Sequence, residues 1–117
     1  MKARALLPAV ALALSVASGC GVQVGTPIDE HPCPPGGTTL TYDDFGQTFF
    51  ETWCVRCHGG PNGYSSRAFT TADSIRAQAD RIFLNAAADN TFMPPGPDGP
   101  PSTQRDQLAD WLACGAP

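Results

Sequence analysis

The sequence predicts a small all-α domain, and three observations carry that prediction. Three segments place apolar residues three and four positions apart, the period of one helix face. No segment alternates apolar and polar residues as a half-buried strand does, and turn-rich stretches at 59–63 and 94–101 separate the helical ones. The chain has 117 residues, and its first 19 read as a leader. What remains, about 98 residues, is enough for one small domain.

In the first segment Thr41 is a candidate N-cap with Asp44 at the third helical position, and Phe45, Phe49, Phe50 and Trp53 form the stripe. Gly46 weakens this helix relative to alanine, so close packing is expected there. The second helix is predicted to begin at Thr70 or Thr71 and to bury Ile75, Ala79, Ile82, Phe83 and Ala86. The third follows Pro100-Pro101, starts at Ser102 or Thr103 and runs through Leu108, Trp111 and Leu112. Gly115 is its expected C-terminal cap.

Ahead of the domain, Lys2 and Arg4 precede an apolar run at 5–17 that is too short to span a bilayer comfortably, so residues 1–19 read as a signal peptide. The small residues before Cys20 look like a bacterial lipobox, although Ala17 stands where leucine is more usual. Cys20 would then carry lipid and begin the mature chain; ordinary cleavage near Gly19 would leave a soluble secreted protein instead. Either way the expected location is extracytoplasmic, on the periplasmic side; the lipobox reading adds a lipid anchor to a membrane. Residues 20–40, with four prolines and little apolar periodicity, read as an extended tether reaching roughly 25 Å.

Seven basic residues less Lys2 and Arg4 leave five against eleven acids, a formal charge near −6, and no lysine. Such a chain is a poor partner for nucleic acid and offers no lysine ring for docking a redox protein. The acidity also serves simply to keep a small exported domain soluble.

The pentapeptide Cys54-Val55-Arg56-Cys57-His58 concentrates the chemistry. C-x-x-C-H sets two thiols one turn apart with an imidazole beside them, the pattern for two thioether bonds to one haem and an axial iron ligand. A dithiol redox motif needs a strand–helix setting that the sequence lacks. A zinc site with Cys33 and Cys114 would lack the usual close pairing of its other two cysteines. Met93, in Met93-Pro94-Pro95, is the only methionine left after the leader and the candidate sixth ligand; a core role is the alternative. His31 is the other candidate, but in a proline-rich tether it is expected to be solvated. With Cys20 lipidated and Cys54 and Cys57 holding haem, Cys33 and Cys114 remain, most simply as a disulfide. Two free thiols or an intermolecular bridge stay open.

From Thr41 onward the chain resembles a class I cytochrome c domain. The resemblance rests on Gly46, Phe50 and Cys54 at four-residue spacing, on Leu108 and Trp111 three apart, on C-x-x-C-H, and on a Met-Pro 35 residues after His58. It implies a cytochrome c fold of three to four helices around one covalent haem c, with Cys54 and Cys57 attached and His58 and Met93 on the iron. A buried haem would supply apolar volume that about 75 residues in short helices lack. Trp53, Tyr64, Phe69, Phe83 and Phe92 are candidate pocket residues, and Pro61 is the first candidate for the carbonyl that orients His58. Arg67, Arg76, Arg81 and Arg105 are candidates for the haem propionates, while Arg56 is expected to be solvated.

The function implied is one-electron transfer by a monomer serving redox partner proteins at a membrane. Were Met93 not bound, ligand sensing or peroxidase-type chemistry would follow; the domain could also be the haem subunit of a larger membrane complex.

Overall fold

Thr41 opens the first helical segment through a reciprocal cap. Its hydroxyl accepts from the Asp44 amide at 3.3 Å and the Asp44 carboxylate accepts from the Thr41 amide at 2.7 Å. The fold is described from a computed structural model over residues 25–61, 63 and 67–117. The leader, Cys20 and Tyr64 lie outside the described residues. After the cap, a π-helical turn over Tyr42–Gly46 leads into α1 (Gln47–Trp53), and a break at Cys54 leads into α2 (Val55–His58).

The predicted second helix arrives as two. α3 (Ala72–Arg76) is capped by Thr71 and Ser74, and α4 (Ala79–Ala86) follows. The break falls at Gln78, whose amide bonds three residues back to the Ile75 carbonyl and whose φ/ψ of −123°/15° leaves the helical region. α5 (Ser102–Ala113) starts after Pro101 and stops where Gly115 takes φ +87°, the left-handed conformation that suits glycine. Among the described residues there are helices and no strands, so the architecture is all-α.

The core forms where α5 meets the first helical segment and α4. Leu108, Ala109, Trp111 and Leu112 are buried on α5, against Phe49 and Phe50 of α1 and Ile82, Phe83 and Ala86 of α4. Trp111 meets Phe45 edge-on with centroids 6.0 Å apart and lies 6.3 Å from Phe50. A Cβ on Gly46 would stand 2.9 Å from the Trp111 ring, so the missing side chain is what lets the two segments close. The tail is tied back as well: the Tyr42 amide and the Trp111 indole N–H both donate to the Pro117 carbonyl, at 2.8 and 3.2 Å.

The described part of the expected tether is instead part of the domain. Asn90 is buried and accepts from the Thr26 amide at 2.8 Å while donating to the Thr26 carbonyl at 2.9 Å. Ile28, in a 3-10 turn over Ile28–Glu30, packs against the core. His31, expected to be solvated, hydrogen-bonds the Asp110 carboxylate at 2.8 Å, and its ring lies 5.5 Å from Phe83. Cys33 and Cys114 form a disulfide that closes a loop across 81 residues of sequence. Each of these anchors is a single side chain with a distant partner, and such contacts leave no periodic trace in a Pro/Gly-rich segment.

Candidate functional site

The break after α1 places the motif. The Cys57 and His58 amides both bond to the Cys54 carbonyl, at 3.1 and 2.8 Å, winding the motif into one tight turn. Cys54, Cys57 and His58 all line a cleft of about 500 Å³, together with Met93 and its neighbours Phe92, Pro94 and Pro95. Phe49, Trp53, Phe69, Ile82 and Ala86 make the rest of its lining largely apolar. Of the predicted pocket aromatics, Trp53, Phe69 and Phe92 are present there, but Phe83 is not: it is fully buried on the side of α4 that meets His31.

His58 is held by the chain that returns to it. Its Nδ1–H donates to the Arg67 carbonyl at 2.9 Å, which leaves the Nε2 lone pair available. The orienting carbonyl is therefore that of Arg67 and not that of Pro61. The cause lies in the return strand of chain: the Phe69 amide bonds the His58 carbonyl at 2.9 Å, and the Phe69 ring stacks on the imidazole with centroids 4.4 Å apart. These contacts bring the carbonyl of residue 67 to the Nδ1 edge of the ring while Pro61 stays in the turn.

Met93 sits on irregular chain between α4 and α5. Its amide donates to the Asn85 carbonyl at 2.8 Å, its carbonyl accepts from Arg105 at 2.9 Å, and its bond to Pro94 is cis. Trp53, on the α1 side of the cleft, donates its indole N–H to Gln104 of α5 at 2.9 Å.

The arginines separate into distinct roles. Arg67 and Arg81 line the cleft, and both also line a smaller polar groove of about 240 Å³ that includes Arg76 and Asp80. Arg76 bonds the Ala116 carbonyl at 2.8 Å. Arg105 is buried in the protein and donates to four main-chain carbonyls. Burial holds its pKa below the usual arginine value, an effect that nearby Cys54 opposes.

The chemistry of the two thiols narrows their use. Burial pushes the Cys54 thiol up to about 12, with smaller contributions from Arg105, which lowers it, and Cys57, which raises it. A dithiol oxidoreductase needs a depressed thiol pKa, so Cys54 is poorly suited to that role. The four-sulfur zinc alternative loses two ligands, because Cys33 and Cys114 are bonded to each other. Among the described residues no three His, Cys, Asp or Glu side chains gather as a metal site, and no helix is long and apolar enough to cross a membrane.

Sequence reasoning missed the Arg67 carbonyl and the roles of Asn90 and Arg105. Only Arg105 carried a signal: it falls three residues before Leu108 and four before Ala109, on the buried stripe of α5. No known family model, curated protein or solved structure matches the chain.

Proposed function

We propose that this protein is a single-haem c-type electron carrier, anchored to a membrane outside the cytoplasm through Cys20. One observation carries the reading: both thiols of C-x-x-C-H, an imidazole with Nε2 available, and the only methionine after the leader all line one apolar cleft. That donor set fits haem c. Cys54 and Cys57 would each add S–H across one vinyl group, His58 would bind iron through Nε2, and Met93 would offer its thioether. When bound, the haem supplies one-electron exchange between ferric and ferrous iron.

The residues of this chain do the rest. The Arg67 carbonyl and Phe69 fix the His58 ring plane. The apolar lining from Phe49, Ile82 and Ala86 would disfavour the extra charge of the ferric state. With His58 and Met93 both engaged, no coordination position remains for a substrate, which favours a carrier over an enzyme. Of the candidate arginines, Arg67 and Arg81 line the cleft and would be the ones to meet the haem propionates. The partners are redox proteins, the net negative charge disfavours nucleic acid, and the carrier acts as a monomer.

The test is an absorption spectrum of the protein matured with haem-attachment machinery, recorded oxidised, reduced, and reduced under carbon monoxide. A c-type reduced α-band, a weak ferric methionine–iron band and indifference to carbon monoxide are expected. A high-spin spectrum that shifts with carbon monoxide would remove Met93 as a ligand and favour sensing or catalysis. Absence of covalent haem would sink the reading.

A further inference from the structure

Arg105 is an unusual residue to bury. Only 6% of it is exposed, and its side chain donates to four main-chain carbonyls. Taking a guanidinium out of water is costly, and an apolar side chain could fill the same space without that cost. What the guanidinium gains is reach. Nη1 donates to Ala86 at 2.7 Å, to Asn90 at 3.1 Å and to Met93 at 2.9 Å, while Nε donates to Pro100 at 3.2 Å. These carbonyls span the irregular stretch from the end of α4 to the start of α5, and Met93 lies inside it. The Arg105 carbonyl also accepts from the Ala88 amide at 3.0 Å, so both ends of the residue grip the same stretch.

We infer that Arg105 is a positioning residue that sets how tightly Met93 binds iron, an inference that rests on the haem reading above. The fork projects from the buried stripe of α5, so packing Leu108 and Ala109, one turn further along, also fixes the point from which the Met93 main chain is held. A lysine keeps the charge and three donors, but on one nitrogen at the end of a flexible stem, so it lacks the planar fork that lets Nε hold the Pro100 carbonyl while Nη1 holds the others. Arg105 touches neither iron nor substrate in this scheme; it acts through the Met93 backbone.

The experiment uses the full-length holoprotein and four forms: wild type, Arg105→Lys, Gly99→Ala and Gly46→Ala. A Cβ at Gly99 would lie 2.9 Å from Arg105 Nη2, so Gly99→Ala displaces the guanidinium without removing it. Gly46→Ala strains the fold at the Trp111 contact and involves none of the residues around Met93. The readouts are the ferric methionine–iron band, the pH at which it disappears, and carbon monoxide binding after reduction. Arg105→Lys is expected to keep covalent haem but to lose the band about one pH unit earlier, a tenfold weaker methionine–iron equilibrium. Its reduced form binds carbon monoxide in part. Gly99→Ala shifts the same midpoint in the same direction by less, and supplies the test by itself if Arg105→Lys does not accumulate. Gly46→Ala lowers the unfolding midpoint and leaves the band where it is. Wild-type behaviour in Arg105→Lys, or in Gly99→Ala when it stands alone, would overturn the inference; so would an equal shift in Gly46→Ala. If wild type has covalent haem but no methionine band, the methionine assignment itself has failed and the inference falls with it.

Discussion

His58 ends a four-residue helix whose hydrogen bonds are local, whereas Met93 sits on irregular chain held from α5, twelve residues further along. The first of the two proposed iron ligands is placed by a motif that carries its own geometry. The second depends on packing elsewhere in the molecule. The difference teaches that the His58 side should survive most insults to the fold that leave α1 and α2 intact, and that the Met93 side should yield first.

The largest expected effects break that asymmetry directly. His58→Ala, or Cys54→Ala with Cys57→Ala, should abolish accumulation of haem-bound protein, seen as loss of in-gel haem staining. Met93→Ala should keep covalent haem and convert the reduced protein from indifference to stoichiometric carbon monoxide binding. Equal haem loss in both sets would erase the distinction. Next in size is the disulfide: Cys33→Ser with Cys114→Ser should cost about 4 kcal/mol in denaturant unfolding, from the 81-residue separation it closes. Because neither sulfur touches the cleft lining, the methionine band of the folded fraction should not move. Gly46→Ala comes third, at about 1–3 kcal/mol, because a Cβ there must displace the Trp111 ring.

The smallest effect at neutral pH concerns the apoprotein. A Cys54 thiol held at about 12 keeps its proton in the folded chain while the unfolded chain releases it near 9.0. The unfolded state then binds fewer protons, so stability is full below pH 9 and falls as the pH rises towards 12, by up to about 1.4 kcal/mol per unit. Thioether attachment removes that titration. Urea unfolding of apoprotein and holoprotein from pH 8 to 11 should therefore diverge, and parallel curves would rule out the burial effect.

These contrasts follow what was legible in the chain. The Thr41 cap, the need for close packing at Gly46 and the α5 stripe could be read from residues a few positions apart, because helix geometry converts local spacing into a face; that Trp111 is what meets Gly46 came from the resemblance. The C-x-x-C-H turn was legible for the same reason. The break at Gln78, the Arg67 carbonyl at His58 Nδ1 and the Arg105 fork were not, since each depends on backbone groups and carbonyls have no sequence identity. The folding of 25–40 onto the domain was hidden differently. Asn90 and Asp110 bind Thr26 and His31 across 64 and 79 residues, and no spacing rule encodes such pairs; the Cys33–Cys114 bridge alone was expected, from the cysteine count.

The Thr26–Asn90 clamp changes the mechanics of any lipid anchor. If the chain is moored at Cys20, only five residues separate the mooring from Thr26, which Asn90 holds against the domain. Five residues fully extended cover at most about 18 Å, so the domain would ride against the headgroups on a short stay, with little freedom to tumble. Its electron partner would then have to present its own cofactor close to the bilayer surface and from a restricted set of directions. Selection among partners would be made by height and orientation before any contact is formed.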